Sequence, residues 1–184
     1  MENTVFDSID DVDDISTLDE YRVALAAGLT PEAALAAVAP YSRDNARTPF
    51  QWDAGENAGF SAGKPWMRVN PNHTRVNLAD QRGREGSVYE FYRALIALRR
   101  SPDYAETVVY GETEPFLPEQ KNLMAYFRRG DKTLLVAGNF QAQAQDMPLP
   151  GGVRAVLIDN LSAFCVSDGL ARLEPWQFVV LEME

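Results

Sequence analysis

Apolar residues recur at helical spacing in three places and at strand spacing towards the C-terminus, and between them lies a stretch with neither period. Thr17-Leu18-Asp19-Glu20 has the form of a capping box and is followed by Tyr21, Leu25 and Leu29, which predicts a helix stopped near Gly28. A second short helix is predicted from Thr30, with Pro31 at its first position and an alanine- and leucine-rich run to Val38 before Pro40. The two read as a helical hairpin. Residues 87–100, SVYEFYRALIALRR, open on the capping box Ser87-Val88-Tyr89-Glu90. They place Val88, Phe91, Tyr92, Leu95 and Leu98 on one stripe, with Arg93, Arg99 and Arg100 off it. The last-turn arginines suit the helix dipole. From Ala105 the texture changes to strands: ETVVYG, NLMAYFRR, KTLLVAGNF, VRAVLIDN and WQFVVLEM, separated by turn residues. The fold class expected is therefore α+β, with helices and a long ordered loop in 1–104 and a small antiparallel β-sandwich in 105–184.

Composition narrows the function classes. The 184 residues carry 17 Lys and Arg against 27 Asp and Glu, a net charge of −10. That balance argues against nucleic acid or an anionic membrane as a partner. Cys165 is the only cysteine and His73 the only histidine, so no internal disulfide is expected and a His-rich metal site or Ser-His-Asp triad has little to draw on. No cofactor and no metal are expected. The acidic N-terminus lacks the basic region of a signal peptide, and no apolar run approaches a membrane span, so a cytoplasmic location is expected. Asp10-Asp11-Val12-Asp13-Asp14 invites a calcium reading. Ile15 stands where a third ligand is needed and Ser16 where the loop needs glycine, so a solvated acidic face is the expectation. Arg129-Gly130-Asp131 lies between two strands and reads as a hairpin turn. Asn72-His73-Thr74 and Asn160-Leu161-Ser162 fit the glycosylation pattern, which is idle without export.

Residues 41–86 are rich in Gly, Pro, Asn and Arg, and a connection this long is usually functional. Within it lies SRDNARTPFQWD, residues 42–53. This block resembles the SRDNARTPMQWD signature of the oligo-1,6-glucosidase, dextran glucosidase and trehalose-6-phosphate hydrolase group of glycoside hydrolase family 13, with Phe50 in place of methionine. The resemblance continues through Asn57-Ala58-Gly59-Phe60, Pro65-Trp66 and Val69-Asn70-Pro71-Asn72, and into residues 87–100, which look like the last barrel helix of these enzymes. Upstream, Asn3 and Phe6-Asp7-Ser8-Ile9 are similar to the segment after the eighth barrel strand.

The resemblance implies helices and a long loop from the end of a (β/α)8 barrel, followed by the family's C-terminal β-domain. It implies a retaining enzyme whose nucleophilic aspartate and acid/base glutamate lie on earlier strands. The chain by itself is therefore expected to lack the catalytic carboxylates and to be inactive. Met1-Glu2-Asn3 looks like the family's internal Met-x-Asn, so Met1 is expected to be internal to a longer enzyme. The implied substrate is an α-1,6-linked or other short α-linked glucoside oligosaccharide, met only in the full-length context. Arg47, with Arg43 as the second choice, is implied to reach glucose in the −1 subsite, since a guanidinium offers a rigid fork of donors. Asp44, Asn45, Gln51 and Asp53 are expected to satisfy loop backbone groups and orient the arginines. Trp52 and Trp66 could stack on sugar, although anchoring a long loop from a core is the commoner role.

Two other classes fit parts of the pattern. One is a stand-alone carbohydrate-binding module using Tyr110, Tyr126 and Trp176, of which Tyr126 and Trp176 lie in strand patterns and read first as core. The other is an interaction module that self-associates through the exposed stripe of helix 87–100.

Overall fold

In the computed structural model, which describes residues 2–184, the first helix opens at Asp14 and not at Thr17. Asp14 occupies the N-cap position of α1 (Ile15–Ala26) without a side-chain bond to the helix backbone, and its carboxylate instead accepts the Thr17 hydroxyl at 2.9 Å. At the other end Gly28 takes a φ of +93°. Leu29 N–H donates to the Ala24 carbonyl (3.1 Å) and Gly28 N–H to Leu25 (2.9 Å), a Schellman closure that requires glycine. α2 (Pro31–Val38) opens with Thr30 accepting from Ala33 N–H at 3.3 Å, and it packs on α1 as a hairpin.

The chain divides into two compact units, one running to Arg82 and the other spanning Gly83–Glu184. The first contains the stretch without period, now resolved into 3-10 turns at Arg43–Ala46, Glu56–Gly59 and Pro71–Thr74 and one helical turn, α3 (Leu78–Gln81). Carbonyls of the loop take the first N–H groups of α3: Leu78 N–H donates to Gln51 and Ala79 N–H to Trp52, both at 2.9 Å. The interior of this unit is unusually polar. Asp14, Asp44, Gln51, Asn70 and Asn77 are buried beside a few apolar side chains such as Phe6, Val12, Val38 and Met67. Trp52 and Trp66 are not core anchors: they are 50% and 79% exposed, and Trp52 meets Phe50 edge-on at 4.7 Å between ring centres.

The second unit begins with α4 (Val88–Arg100), capped by Ser87, whose hydroxyl accepts from Glu90 N–H at 3.3 Å. Of its apolar stripe, Phe91, Leu95 and Leu98 are partly buried, while Val88 and Tyr92 are exposed. ETVVYG, expected as a strand, is instead the helix α5 (Ala105–Tyr110). Strand propensity loses here to tertiary context. Thr107 is buried, and its hydroxyl accepts from Lys132 N–H at 3.1 Å. Gly111 then leaves α5 so closely that a Cβ would sit 2.4 Å from the Thr107 carbonyl oxygen and 2.9 Å from that of Arg129.

Eight strands follow. β1 (Glu112–Phe116), β2 (Leu123–Arg129), β3 (Thr133–Asn139), β5 (Val153–Asp159) and β8 (Phe178–Met183) form an antiparallel sheet in the order β1-β2-β3-β8-β5. β4 (Gln145–Pro148), β6 (Cys165–Ser167) and β7 (Leu170–Leu173) form a second sheet in the order β4-β7-β6. Ala125, Phe127, Leu135, Ala137, Val179 and Leu181 from the first sheet meet Met147, Ala171 and Leu173 from the second. Leu134 and Val180, on the opposite face of the large sheet, are also buried, which is why β3 and β8 read as continuous apolar runs. Arg129-Gly130-Asp131 is the hairpin turn between β2 and β3, with Gly130 N–H donating to the Lys132 carbonyl at 3.0 Å. Trp176 is not core: it lies before β8, 54% exposed, with a φ of +61°. Among the described residues no helix is long and apolar enough to cross a membrane.

Glu182 is a buried charge in β8. It accepts from Lys132 Nζ at 2.9 Å and the Tyr104 hydroxyl at 2.8 Å, with Arg154 at 3.7 Å. The Lys132 hydrogen bond, then that of Tyr104, holds the Glu182 pKa below its ordinary value, and Glu182 holds Lys132 above its own. The depressed carboxyl contributes stability above about pH 4.3, lost as pH falls through the lower folded value. The raised ammonium contributes stability below about pH 10.4, lost as pH rises through the higher one. Thermal melts against pH are expected to fall in acid, and Glu182→Gln is expected to lower the midpoint and flatten that acid limb. An unaltered acid limb would contradict this. Gly111→Ala is expected to cost about 1–3 kcal/mol in denaturant unfolding, because the new methyl meets backbone on two sides. A change below about 0.5 kcal/mol would contradict the close packing of α5 on the hairpin.

Candidate functional site

The stretch 42–53 is built outward from one buried carboxylate. Ser42 caps the 3-10 turn Arg43–Ala46, its hydroxyl accepting from Asp44 N–H at 3.3 Å. Asp44 is thereby aimed inward and is fully buried. One of its oxygens accepts from two successive backbone groups of the segment before α1, Asp13 N–H at 2.7 Å and Asp14 N–H at 2.9 Å. The other accepts from Arg47 Nη1 at 3.3 Å. Arg47 stands one turn on, its side chain 43% exposed. The bond to Asp44 engages one Arg47 nitrogen and leaves the other donors of the guanidinium available to a further acceptor.

Arg43 is spent differently. Its Nε donates to Asp14 at 3.1 Å, Nη2 lies 2.9 Å from the same carboxylate, and Nη2 donates to Ser16 at 2.7 Å. Asp14 also accepts Arg43 backbone N–H at 3.2 Å. Burial pushes the Asp14 carboxyl up, but the hydrogen bonds from Thr17 and Arg43 outweigh it and bring its pKa down to about 2. Asp14 and Asp44 thus clasp the two segments reciprocally: each carboxylate takes a backbone N–H and an arginine of the loop, or a backbone pair of the partner segment.

The other polar residues of the block hold backbone. Asn45 Oδ1 accepts from Thr4 N–H at 3.1 Å, and its Nδ2 donates to the Ala39 carbonyl at 2.9 Å. Gln51 Nε2 donates to the Val76 carbonyl at 2.6 Å and to Asn72 Oδ1 at 2.7 Å. Asp53 Oδ1 accepts Gly55 N–H at 2.8 Å, beside three successive residues with positive φ, Asn57 (50°), Ala58 (57°) and Gly59 (66°). A Cβ on Gly59 would meet the Asp53 carboxylate at 2.5 Å. Arg43, Asp44, Asn45 and Arg47 therefore sit on one turn, whereas Gln51 and Asp53 organise the following bend.

Asp14 is the residue that sequence reasoning missed, because it sits in an acidic run expected to be a solvated face. That expectation fails at Asp14, which is buried, whereas Asp10, Asp11 and Asp13 are exposed, Asp11 while holding Arg68 at 2.9 Å. The available signal was an aspartate immediately before a helix, the N-cap position, with a threonine three residues on whose hydroxyl can reach it.

Residues 13–111, more than half of the chain and including the whole block, match the family described as alpha amylase, catalytic domain. A glucan 1,6-alpha-glucosidase of Streptococcus pneumoniae is 35% identical over all of the chain and 34% of its own length. An oligo-1,6-glucosidase of Parageobacillus thermoglucosidasius is 35% identical over 96% of the chain and 32% of the relative. Among solved structures, the trehalulose synthase MutB of Pseudomonas mesoacidophila MX-45 superposes with a TM-score of 0.85 at 38% identity, covering 99% of the chain and 33% of that protein. The chain spans about a third of the length of the curated relatives it matches. With its helices and ordered loop followed by a small antiparallel sheet domain, the chain belongs to the alpha-amylase family, glycoside hydrolase family 13.

Proposed function

We propose that this chain is the C-terminal part of a retaining α-glucosidase that removes terminal α-1,6-linked glucose from short oligosaccharides. Residues 1–104 would supply the end of the barrel and 105–184 its C-terminal β-domain. The observation that carries the reading is the Asp44 anchor. It presents Arg47 on a loop whose backbone cannot shift without breaking two hydrogen bonds to a buried carboxylate. Arg47 donates to hydroxyls of the glucose in the −1 subsite and closes that end of the pocket, which favours attack at a terminal unit. Arg43, committed to Asp14 and Ser16, positions the loop rather than the sugar. Chemistry in this reading follows the retaining course. One carboxyl protonates the leaving oxygen while a second attacks the anomeric carbon, and water then releases the covalent glucosyl ester with the first carboxylate acting as base. Both carboxyls come from barrel strands preceding the matched third, so the chain by itself does not hydrolyse.

The test is a chimera in which this chain replaces the aligned third of the Parageobacillus oligo-1,6-glucosidase. Isomaltose hydrolysis is expected from it, and none from the chain alone. Arg47→Ala is expected to lower kcat/KM by roughly 10- to 100-fold, the loss of one or two charge-assisted hydrogen bonds to substrate. Arg43→Ala should mainly lower the melting temperature. A folded chimera without activity would overturn the glucosidase reading, and an Arg47→Ala chimera with unchanged kcat/KM would overturn the role of Arg47.

A further inference from the structure

Only two arginines among the described residues are half-buried, Arg68 and Arg128. Their surroundings differ in kind. Arg68 lies between the carboxylates of Asp7 and Asp11. Arg128, on β2, has no carboxylate within ion-pair distance among the described residues: it donates to the Thr113 hydroxyl and to the Val108 carbonyl (3.1 Å), both neutral. Its Nε is buried and makes no hydrogen bond. In a chain with 27 acidic residues against 17 basic ones, an uncompensated half-buried guanidinium is unexpected, since desolvating a cation is costly without an anion beside it.

Arg128 also lines a cavity of about 540 Å³ inside the second unit. Its walls are apolar: Leu95 and Leu98 from α4, Val109 from α5, and Val136 and Val180 from the sheet. Arg99 lines the same cavity. The volume falls within the range of small-molecule sites, and apolar walls with a few convergent polar groups are their usual construction.

We infer that this cavity is a binding site for a small amphipathic carboxylate, its aliphatic tail against Leu95, Leu98, Val136 and Val180 and its carboxylate on Arg128 and Arg99. A carboxylate in the cavity would take Nη donors of Arg128 left over after Thr113 and Val108 in a charge-assisted bond and offset the half-buried charge. The wall residues and both arginines belong to α4, α5 and the large sheet, separate from the block at 42–53, so the inference does not rest on the proposed glucosidase reading.

Octanoate and the neutral octanol are the probes, titrated into the full chain by calorimetry and by thermal shift. Octanoate is expected to bind one per chain and to raise the melting temperature, with octanol at least about tenfold weaker. Arg128→Leu is expected to weaken octanoate roughly 10- to 100-fold while leaving octanol unchanged. Should Arg128→Leu fail to fold, Arg99→Gln is the second variant, expected to weaken octanoate by a smaller factor at unchanged stability. No octanoate binding, equal affinity for both probes, or octanoate affinity insensitive to the arginine variants would each overturn the inference.

Discussion

The first half of the molecule depends on one interaction, the buried Asp44 carboxylate shared between two backbone amides and a guanidinium. A carboxylate has about four acceptor positions and is expensive to bury unless they are used. Here one oxygen takes Asp13 and Asp14 N–H and the other takes Arg47. The cost of desolvation is offset only in this conformation, so the carboxylate selects it. Asp14 then repeats the arrangement in reverse, accepting both the backbone N–H and the guanidinium of Arg43 from its place at the start of α1. Two segments some thirty residues apart are joined by these polar contacts.

The second unit is held by different physics. Its ten-residue apolar core joins two sheets, and its strands alternate or run continuously apolar according to whether one face or both are covered. Buried amides tie its loops to the sheets: Asn139 donates to three carbonyls between Gln143 and Glu174, and Gln177 to Asp159. Asp159 in turn accepts three loop N–H groups, and these bonds, against its partial burial, hold its pKa low. The contrast explains why one half of the chain shows strong hydrophobic periodicity and the other shows almost none.

What could be read in advance follows the same division. α2, α4 and the strands β2, β3, β5 and β8 were legible because their signals are local: caps, the 3.6 period, and apolar runs between turns; the short β4, β6 and β7 carry no such run. α5 was not, because Thr107, Val108 and Val109 favour a strand and only the fit of Thr107 over the Lys132 turn makes them helical. Residues 42–53 were conspicuous by composition, and their likeness to a glucosidase signature pointed to Arg47. Neither disclosed Asp14, whose arginine partner lies 29 residues away and which ends a run of acids. The exposed tryptophans at 52, 66 and 176 were misjudged for a related reason: composition marks them as large and apolar, while burial depends on whether the interior around them is apolar or polar.

The most direct measurement is native-state hydrogen exchange of the Asp13 and Asp14 amides in the wild-type chain and in Asp44→Ala. Slow exchange of both in the wild type, lost in Asp44→Ala while the amides of residues 133–139 keep their protection, is the predicted result. Equal exchange of Asp13 and Asp14 in the two proteins would show that the loop carrying Arg47 is not organised by this carboxylate.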